Sequence, residues 1–330
     1  MSEKKSSDST DIFTQSSDFF DQLSDDIKQA RTSVCIQCMS FEADETGSKL
    51  IELLISKPTI KRTLLIDSYS KYVVNDTFVF GPSGLLNKNN ALHEKRALAP
   101  LLDKAKKAGI EVKLTNPMGF MLFKYPVRNH KKVVLIDDHI SYLGGINFTD
   151  HNFAWPDLMI RHTNPSINKA LTKSFNADLF EKEVDSTCHI DDLTSLFILN
   201  GYKTKESYNE LLAVIKKAQK ITIVSPYISY PLLDAVAKVS NNRVILPKYN
   251  NKGYINFVHQ LKRYHNVNYI YSDTGMVHMK LIIIDDSTVI YGSSNFDTIS
   301  YLFEKEVVIK HTNPHLAHRL NQVAEKLITG

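Results

Sequence analysis

The chain has 330 residues, 43% of them hydrophobic, and a formal net charge of +4. That length provides for one large domain or two modest ones with globular cores. The charge is too mild to demand nucleic acid, and it suits an anionic lipid surface. There is no apolar run near the roughly 20 residues of a membrane span, and the polar opening Met-Ser-Glu-Lys-Lys is not a signal peptide. A cytoplasmic protein without a transmembrane span is expected, with a peripheral membrane role open to it.

In chain order, residues 1–18 are rich in Ser, Asp and Lys and read as a disordered tail. A helix is predicted over about Phe19 to Ala30 and a strand over Ser33 to Met39. That strand carries Cys35 and Cys38, whose side chains point to opposite faces. With Cys188 they are the only cysteines, so no zinc site is assembled from them. Further strands are predicted at Arg62–Asp67 and Glu111–Thr115. A linker is expected between about Asp185 and Lys205. Then come a helix over Tyr208 to Ala218 and strands at Lys220–Ser225, Arg243–Leu246 and Val267–Ile270. This alternation predicts an α/β fold.

One pattern occurs twice. His130-Lys131-Lys132 runs into four apolar residues and Asp137, and His278-Met279-Lys280 runs into four apolar residues and Asp285. Each is followed by a small-residue turn ending in asparagine, Gly144-Gly145-Ile146-Asn147 and Gly292-Ser293-Ser294-Asn295. The offset between the two copies is 148 at the histidines, lysines, aspartates and asparagines alike. The repeat continues as Ile160-Arg161-His162-Thr163-Asn164-Pro165 and Ile309-Lys310-His311-Thr312-Asn313-Pro314, where each proline opens a helix and each histidine ends a strand in a structural role. Residues 19–190 and 191–330 therefore read as two similar lobes from an internal duplication. Ala30 to His130 spans 100 residues but Ala218 to His278 only 60, so the first half carries an insertion, with candidates at Ser68–Arg96 and Met118–Pro126. The apolar Met118–Phe123 run suits acyl chains and suits a core equally.

The paired motifs resemble the HKD signature of the phospholipase D superfamily. Arg128-Asn129-His130-Lys131-Lys132 and the Gly-Gly-Ile-Asn turn are most similar to bacterial cardiolipin synthases. The resemblance runs from about residue 19 onward. It implies a phospholipase D-like fold with the active site at the lobe interface. It also implies a phosphatidyltransferase or phospholipase D that exchanges or cleaves a glycerophospholipid phosphodiester through a phosphohistidine, without a metal or cofactor. His-x-Lys spacing puts both side chains on one face of a strand. One imidazole can attack phosphorus while the other protonates the leaving alkoxide. Lys132, Lys280, Asn147 and Asn295 are expected to hold the phosphate.

By the same resemblance His130 is the nucleophile and His278 the acid/base, although the near symmetry of the halves leaves the reverse open. Asp137 and Asp285 hold backbone. A carboxylate further along each half, Asp157 and Glu306, takes the second nitrogen of a histidine. Asp157 lies 27 residues after His130 and Glu306 lies 28 after His278. The chain departs from the family pattern at Thr298, Ile299 and Glu304, where Ile-Arg and asparagine are common, and this bears on the acceptor. One chain holds both half-sites, so a monomer is expected to suffice. The alternative is a nuclease of the same superfamily. Against it, Lys104, Lys106, Lys107 and Lys113 form no basic track and read as a solvated helix face and its neighbouring strand.

Overall fold

The computed structural model describes residues 10–74, 77–78, 88–184, 186–249 and 252–329. The first sheet has seven strands in the order β1-β9-β8-β7-β2-β3-β6. These are β1 Thr10–Phe13, β2 Ser33–Cys38, β3 Lys61–Asp67, β6 Glu111–Thr115, β7 Val133–Ile136, β8 Ile140–Gly144 and β9 Met159–His162; β4 Val73–Val74 and β5 Thr77–Phe78 form a separate small ribbon. The second sheet has eight, in the order β10-β11-β17-β16-β15-β12-β13-β14. They are β10 Thr187–His189, β11 Thr194–Asn200, β12 Lys220–Val224, β13 Asn241–Pro247, β14 Tyr269–Ser272, β15 Leu281–Ile284, β16 Thr288–Gly292 and β17 Lys305–Thr312.

The four apolar residues after each motif lysine are the central strands β7 and β15, buried along their whole length. Strands covered on both faces need such continuous apolar runs. The two sheets face one another across a shared core, with Leu135, Leu143 and Ile160 on one side and Leu281, Tyr291 and Ile309 on the other. Two helices opened by the paired prolines, Pro165–Leu179 and Pro314–Thr329, add Leu171, Phe175, Leu320 and Leu327 to it. The outer faces are covered by other helices, Ser16–Gln29 and Glu45–Ile55 over the first sheet and Lys205–Lys216 over the second. His162 lies in the shared core, where its Nε2 is 3.0 Å from the Tyr291 hydroxyl of the other sheet.

Three sequence expectations change. Residues 1–9 lie outside the described residues, but Thr10–Phe13 is a strand paired antiparallel with β9, and a helix starts at Ser16. The polar letters misled there because Asp11 is matched by Arg161 at 3.1 Å and Ile12 packs on the shared core. The expected linker instead contains β10 and β11, and β11 pairs with β17 along its full length. Its Leu196-Phe197-Ile198-Leu199 core is buried on both faces and shows no alternation. The second sheet therefore begins at Thr187, ahead of the boundary drawn at residue 191.

Asp137 and Asp285 end β7 and β15 with left-handed backbones, φ +53° and +50°. Asp137 accepts from the backbone N–H groups of Arg31, Thr32 and Ser33 and from the Thr32 hydroxyl. Burial opposes its ionisation, but these donors outweigh it and hold the carboxyl at about 2. Asp285 does the same for Gln219 and Lys220. Both aspartates thus tie a motif strand to the start of its neighbour, far from the histidines in space as in role.

Candidate active site

The loop before β7 is anchored at its start. Arg128 Nη1 donates to Asp67 Oδ1 at 2.7 Å, and the Asn129 N–H donates to Asp67 Oδ2 at 2.5 Å. Burial pushes Asp67 up to about 6 against the opposing pull of Arg128. Lys131 points away from the motif face and donates to Asp178 and Ser174 in the interior.

Each histidine is then fixed by the other half of the chain. The His130 N–H donates to the Lys305 carbonyl at 2.8 Å, and the His278 N–H to the Pro156 carbonyl at 2.9 Å. The side chains cross in the same way. His130 Nδ1 lies 2.9 Å from Glu306 Oε1 and 2.9 Å from the Ser293 carbonyl. His278 Nδ1 lies 2.7 Å from Asp157 Oδ2. Equal offsets within each half led to the expectation of a carboxylate from the same half. Instead Glu306 serves His130 and Asp157 serves His278, because the two sheets meet face to face and each carboxylate points over the seam. An ionised carboxylate can only accept, so Nδ1 carries hydrogen in both rings and Nε2 keeps its lone pair for the cavity that both rings line.

The turns make room for these pairs. A Cβ on Gly145 would sit 2.2 Å from Asp157 Oδ1, and one on Gly144 would sit 2.0 Å from the Leu158 carbonyl oxygen. At the position matching Gly145 the second half has Ser293, whose hydroxyl donates to Glu306.

Electrostatics follow from enclosure. Burial pushes His130 down to about 4, resisted by Glu306 and reinforced by Lys132. Burial and then Lys280 push His278 to about 4, with Asp157 resisting. Burial also drives Lys280 down to about 7 against the attraction of Asp157. Lys132 shifts down for the same cause. Glu306 and Asp157 are held ionised: burial raises both, but His130 for the first and Lys280 with His278 for the second outweigh it.

The cavity in front of the rings has a volume of about 650 Å³. Asn147 and Asn295 line it. Lys132 and Lys280 do not: Lys132 Nζ lies 2.6 Å from the His130 carbonyl, and Lys280 Nζ donates to the His278 carbonyl and stands 2.8 Å from His278 Nδ1. The ammonium groups therefore stand behind the imidazoles. Several wall residues were not singled out from sequence, among them Trp155, His151, Tyr227 and Lys252. The Trp155 ring centroid is 5.4 Å from that of His278, and His151 packs edge-on against Trp155. The position of the chain's sole tryptophan two residues before Asp157 was the available signal. Among the described residues, His130, Glu304 and Glu306 bring possible ligand atoms within 4.8 Å of one another. Of these three, His130 and Glu306 are paired with each other. Lys104 pairs with Glu52 and Lys113 with Glu181, so these lysines make local surface pairs.

Comparison with known proteins agrees with this architecture. The chain is 25% identical to the minor cardiolipin synthase ClsB of Bacillus subtilis, covering 93% of this chain and 78% of the relative. It is 23% identical to a cardiolipin synthase of Oceanobacillus iheyensis, covering 90% and 64%, and 24% identical to one of Clostridium perfringens, covering 91% and 66%. The chain thus spans just under two thirds of the length of the latter two. In fold it is similar to the phosphatidylserine synthase of Haemophilus influenzae, with a TM-score of 0.68 at 13% identity over 96% of this chain and 84% of that one. It is also similar to the polyphosphate kinase of Porphyromonas gingivalis, with a TM-score of 0.64 at 11% identity over 96% of this chain and 46% of that one. A family model described as cardiolipin synthase, phospholipase D-like domain, matches residues 23–179 and 211–328, both halves of the duplication, and the chain belongs to that family.

Proposed function

We propose that the protein is a phosphatidyltransferase of the cardiolipin synthase kind, acting on a glycerophospholipid phosphodiester through a phosphohistidine. The observation that carries this reading is the pair of imidazoles on one cavity wall, each braced at Nδ1 by a buried carboxylate. His130 Nε2 attacks phosphorus, and the leaving alkoxide takes a proton from His278. An acceptor hydroxyl then gives its proton to His278 as its oxygen displaces His130. Burial favours the neutral form of both rings, so the acid role of His278 depends on the substrate. The phosphate's negative charge offsets Lys132 and Lys280 and draws a proton onto His278. The lysines act through their field from behind the rings, and Asn147 and Asn295 donate to the nonbridging oxygens from the wall. Both crossed pairs are internal to one chain, which supports a catalytically complete monomer.

Access to lipid through an exposed apolar loop is part of this proposal; no helix among the described residues is long and apolar enough to cross a membrane. Met118 is buried, but Phe120 and Phe123 are 82% and 79% exposed beside Tyr125 and Pro126 of the cavity wall. The side chain of Met121 lies outside the described residues. Burying an apolar side chain of this size is worth roughly 1.5–3 kcal/mol when complete. Phe120→Ser combined with Phe123→Ser is expected to weaken binding to phosphatidylglycerol vesicles by roughly 30-fold or more. Sedimentation with vesicles measures this; unchanged binding would remove the loop from the membrane contact.

The function itself is tested by giving purified protein phosphatidylglycerol vesicles and labelled single-stranded DNA in parallel. Mass spectrometry of the products should show new phospholipid and intact DNA. Cut DNA with unchanged lipid would establish the nuclease instead.

A further inference from the structure

The cavity wall from the second lobe carries two acids, Asp297 and Glu304. Asp297 is engaged as the cap of the helix Thr298–Leu302, accepting from the Ser300 N–H at 2.7 Å. Glu304 is different. Its Oε2 lies 3.0 Å from Ser300 Oγ, and the same hydroxyl lies 3.2 Å from Glu306 Oε1. One hydroxyl has one hydrogen, and it cannot satisfy two carboxylates at once. Glu306 is the ionised member, because it also accepts from His130 and Ser293. The set closes when Glu304 bears a proton, donates it to Ser300 Oγ, and Ser300 donates to Glu306. Burial, then the charges of Glu306 and Asp297, raise Glu304 well above the usual carboxyl range, in agreement with this count. The remaining oxygen of Glu304 is then a neutral acceptor.

Asn295 belongs to the same wall, but its Oδ1 is closed off from the cavity. Lys252 stands on the same wall, 3.8 Å from the centroid of the Tyr227 ring, and Lys132 and Lys280 lie behind the histidines. A protonated Glu304 offers a neutral acceptor, which suits a hydroxyl donor, whereas an ammonium is better met by an ionised carboxylate.

We propose that Glu304 forms the subsite for a hydroxyl group of the acceptor and is the residue that selects a neutral polyol. This rests on the phosphatidyl-transfer reading. In the acceptor step one hydroxyl oxygen bonds to phosphorus, the bond from phosphorus to His130 Nε2 breaks and returns its electron pair to the ring, and the hydroxyl proton passes to His278. Glu304 undergoes no bond change; it orients a second hydroxyl of the acceptor.

The test offers wild type, Glu304→Gln, Glu304→Leu and Glu304→Asp phosphatidylglycerol vesicles with deuterated glycerol, 1-propanol or ethanolamine as soluble acceptor, the label separating newly made phosphatidylglycerol from the donor. The readout is the ratio of transfer product to phosphatidic acid. That ratio is set after the intermediate forms, so a slower donor step cancels. Glu304→Leu should lower the glycerol ratio roughly fivefold to tenfold, the value of one lost hydrogen bond, and should lower the propanol ratio much less. Glu304→Gln should recover most of it, since the amide keeps a neutral carbonyl. Should Glu304→Leu fail to fold, Glu304→Asp, with its shorter reach, should show the same selective loss. Equal losses for glycerol and propanol, or unchanged ratios, would overturn the proposal. So would ethanolamine as the preferred acceptor with Glu304→Gln abolishing its transfer, because that marks an ionised Glu304. Wild type that yields phosphatidyl products with these ratios unaltered by Glu304 variants refutes the subsite alone; wild type that yields none refutes the transfer reading and the subsite with it.

Discussion

Replacing His130 with alanine is expected to lower kcat/KM on a phosphatidylglycerol donor by about four orders of magnitude or more, the scale of losing a nucleophile that works as one unit with its base. His278→Ala should cost a comparable factor with an activated lipid excluded, but less with a donor whose leaving group needs no proton, such as a p-nitrophenyl phosphodiester. That asymmetry separates attack from protonation: the nucleophile is required for every leaving group, the acid only for a poor one. The rate of the first turnover on each donor, read for the second as a burst of p-nitrophenol, checks it. Equal recovery of both variants on the p-nitrophenyl donor would remove the division of roles. Neither ring carries the shared core, which is built from the sheets, so loss of activity should come with circular dichroism like that of wild type.

Breaking the crossed carboxylates should be the next largest effect. Asp157→Asn and Glu306→Gln keep volume, but they remove the charge that holds Nδ1–H and steadies the imidazolium. Losses of about 10²–10⁴ in kcat are expected from the wrong tautomer alone. The identity of the partner is read separately by NMR titration of the histidine rings. Asp157 now raises the proton affinity of His278, and Glu306 that of His130. Asp157→Asn should therefore lower the His278 pKa and leave His130 nearly in place, and Glu306→Gln should do the reverse. A shift of His130 on changing Asp157 would mean pairing within each half.

The motif residues were legible because their spacing is chemical. His-x-Lys before an apolar strand repeats at a fixed offset, and β7 and β15 lie where the apolar runs predict them. The crossing of Asp157 and Glu306 was not legible. Offsets within a repeat describe local geometry, whereas the partner is chosen by how two sheets dock, and docking leaves no periodic trace in sequence. The same holds for β1, whose Asp11 is met by the distant Arg161, itself held by Asp26, with Arg161 Nε donating to Asp26 Oδ2 at 2.7 Å. β11 was missed for the opposite reason: a strand buried on both faces lacks alternation and resembles any short apolar run. The lysines were read as phosphate contacts from their place in the motif, yet their long side chains fold back to the backbone carbonyls of their own histidines. Glu304 was noticed in sequence as a departure; its link through Ser300 to Glu306 needed coordinates.

The central claim is that His130 forms a covalent bond to phosphorus while His278 manages protons. It is tested most directly by exposing His278→Ala protein to a p-nitrophenyl ester of phosphatidic acid, whose leaving group needs no proton, then quenching and measuring intact mass followed by peptide mapping. The account predicts a phosphatidyl adduct on His130 that persists because the second step lacks its base. An adduct reproducibly on His278 of the wild-type enzyme, or turnover that vanishes with chelator and returns with a divalent metal, would contradict it.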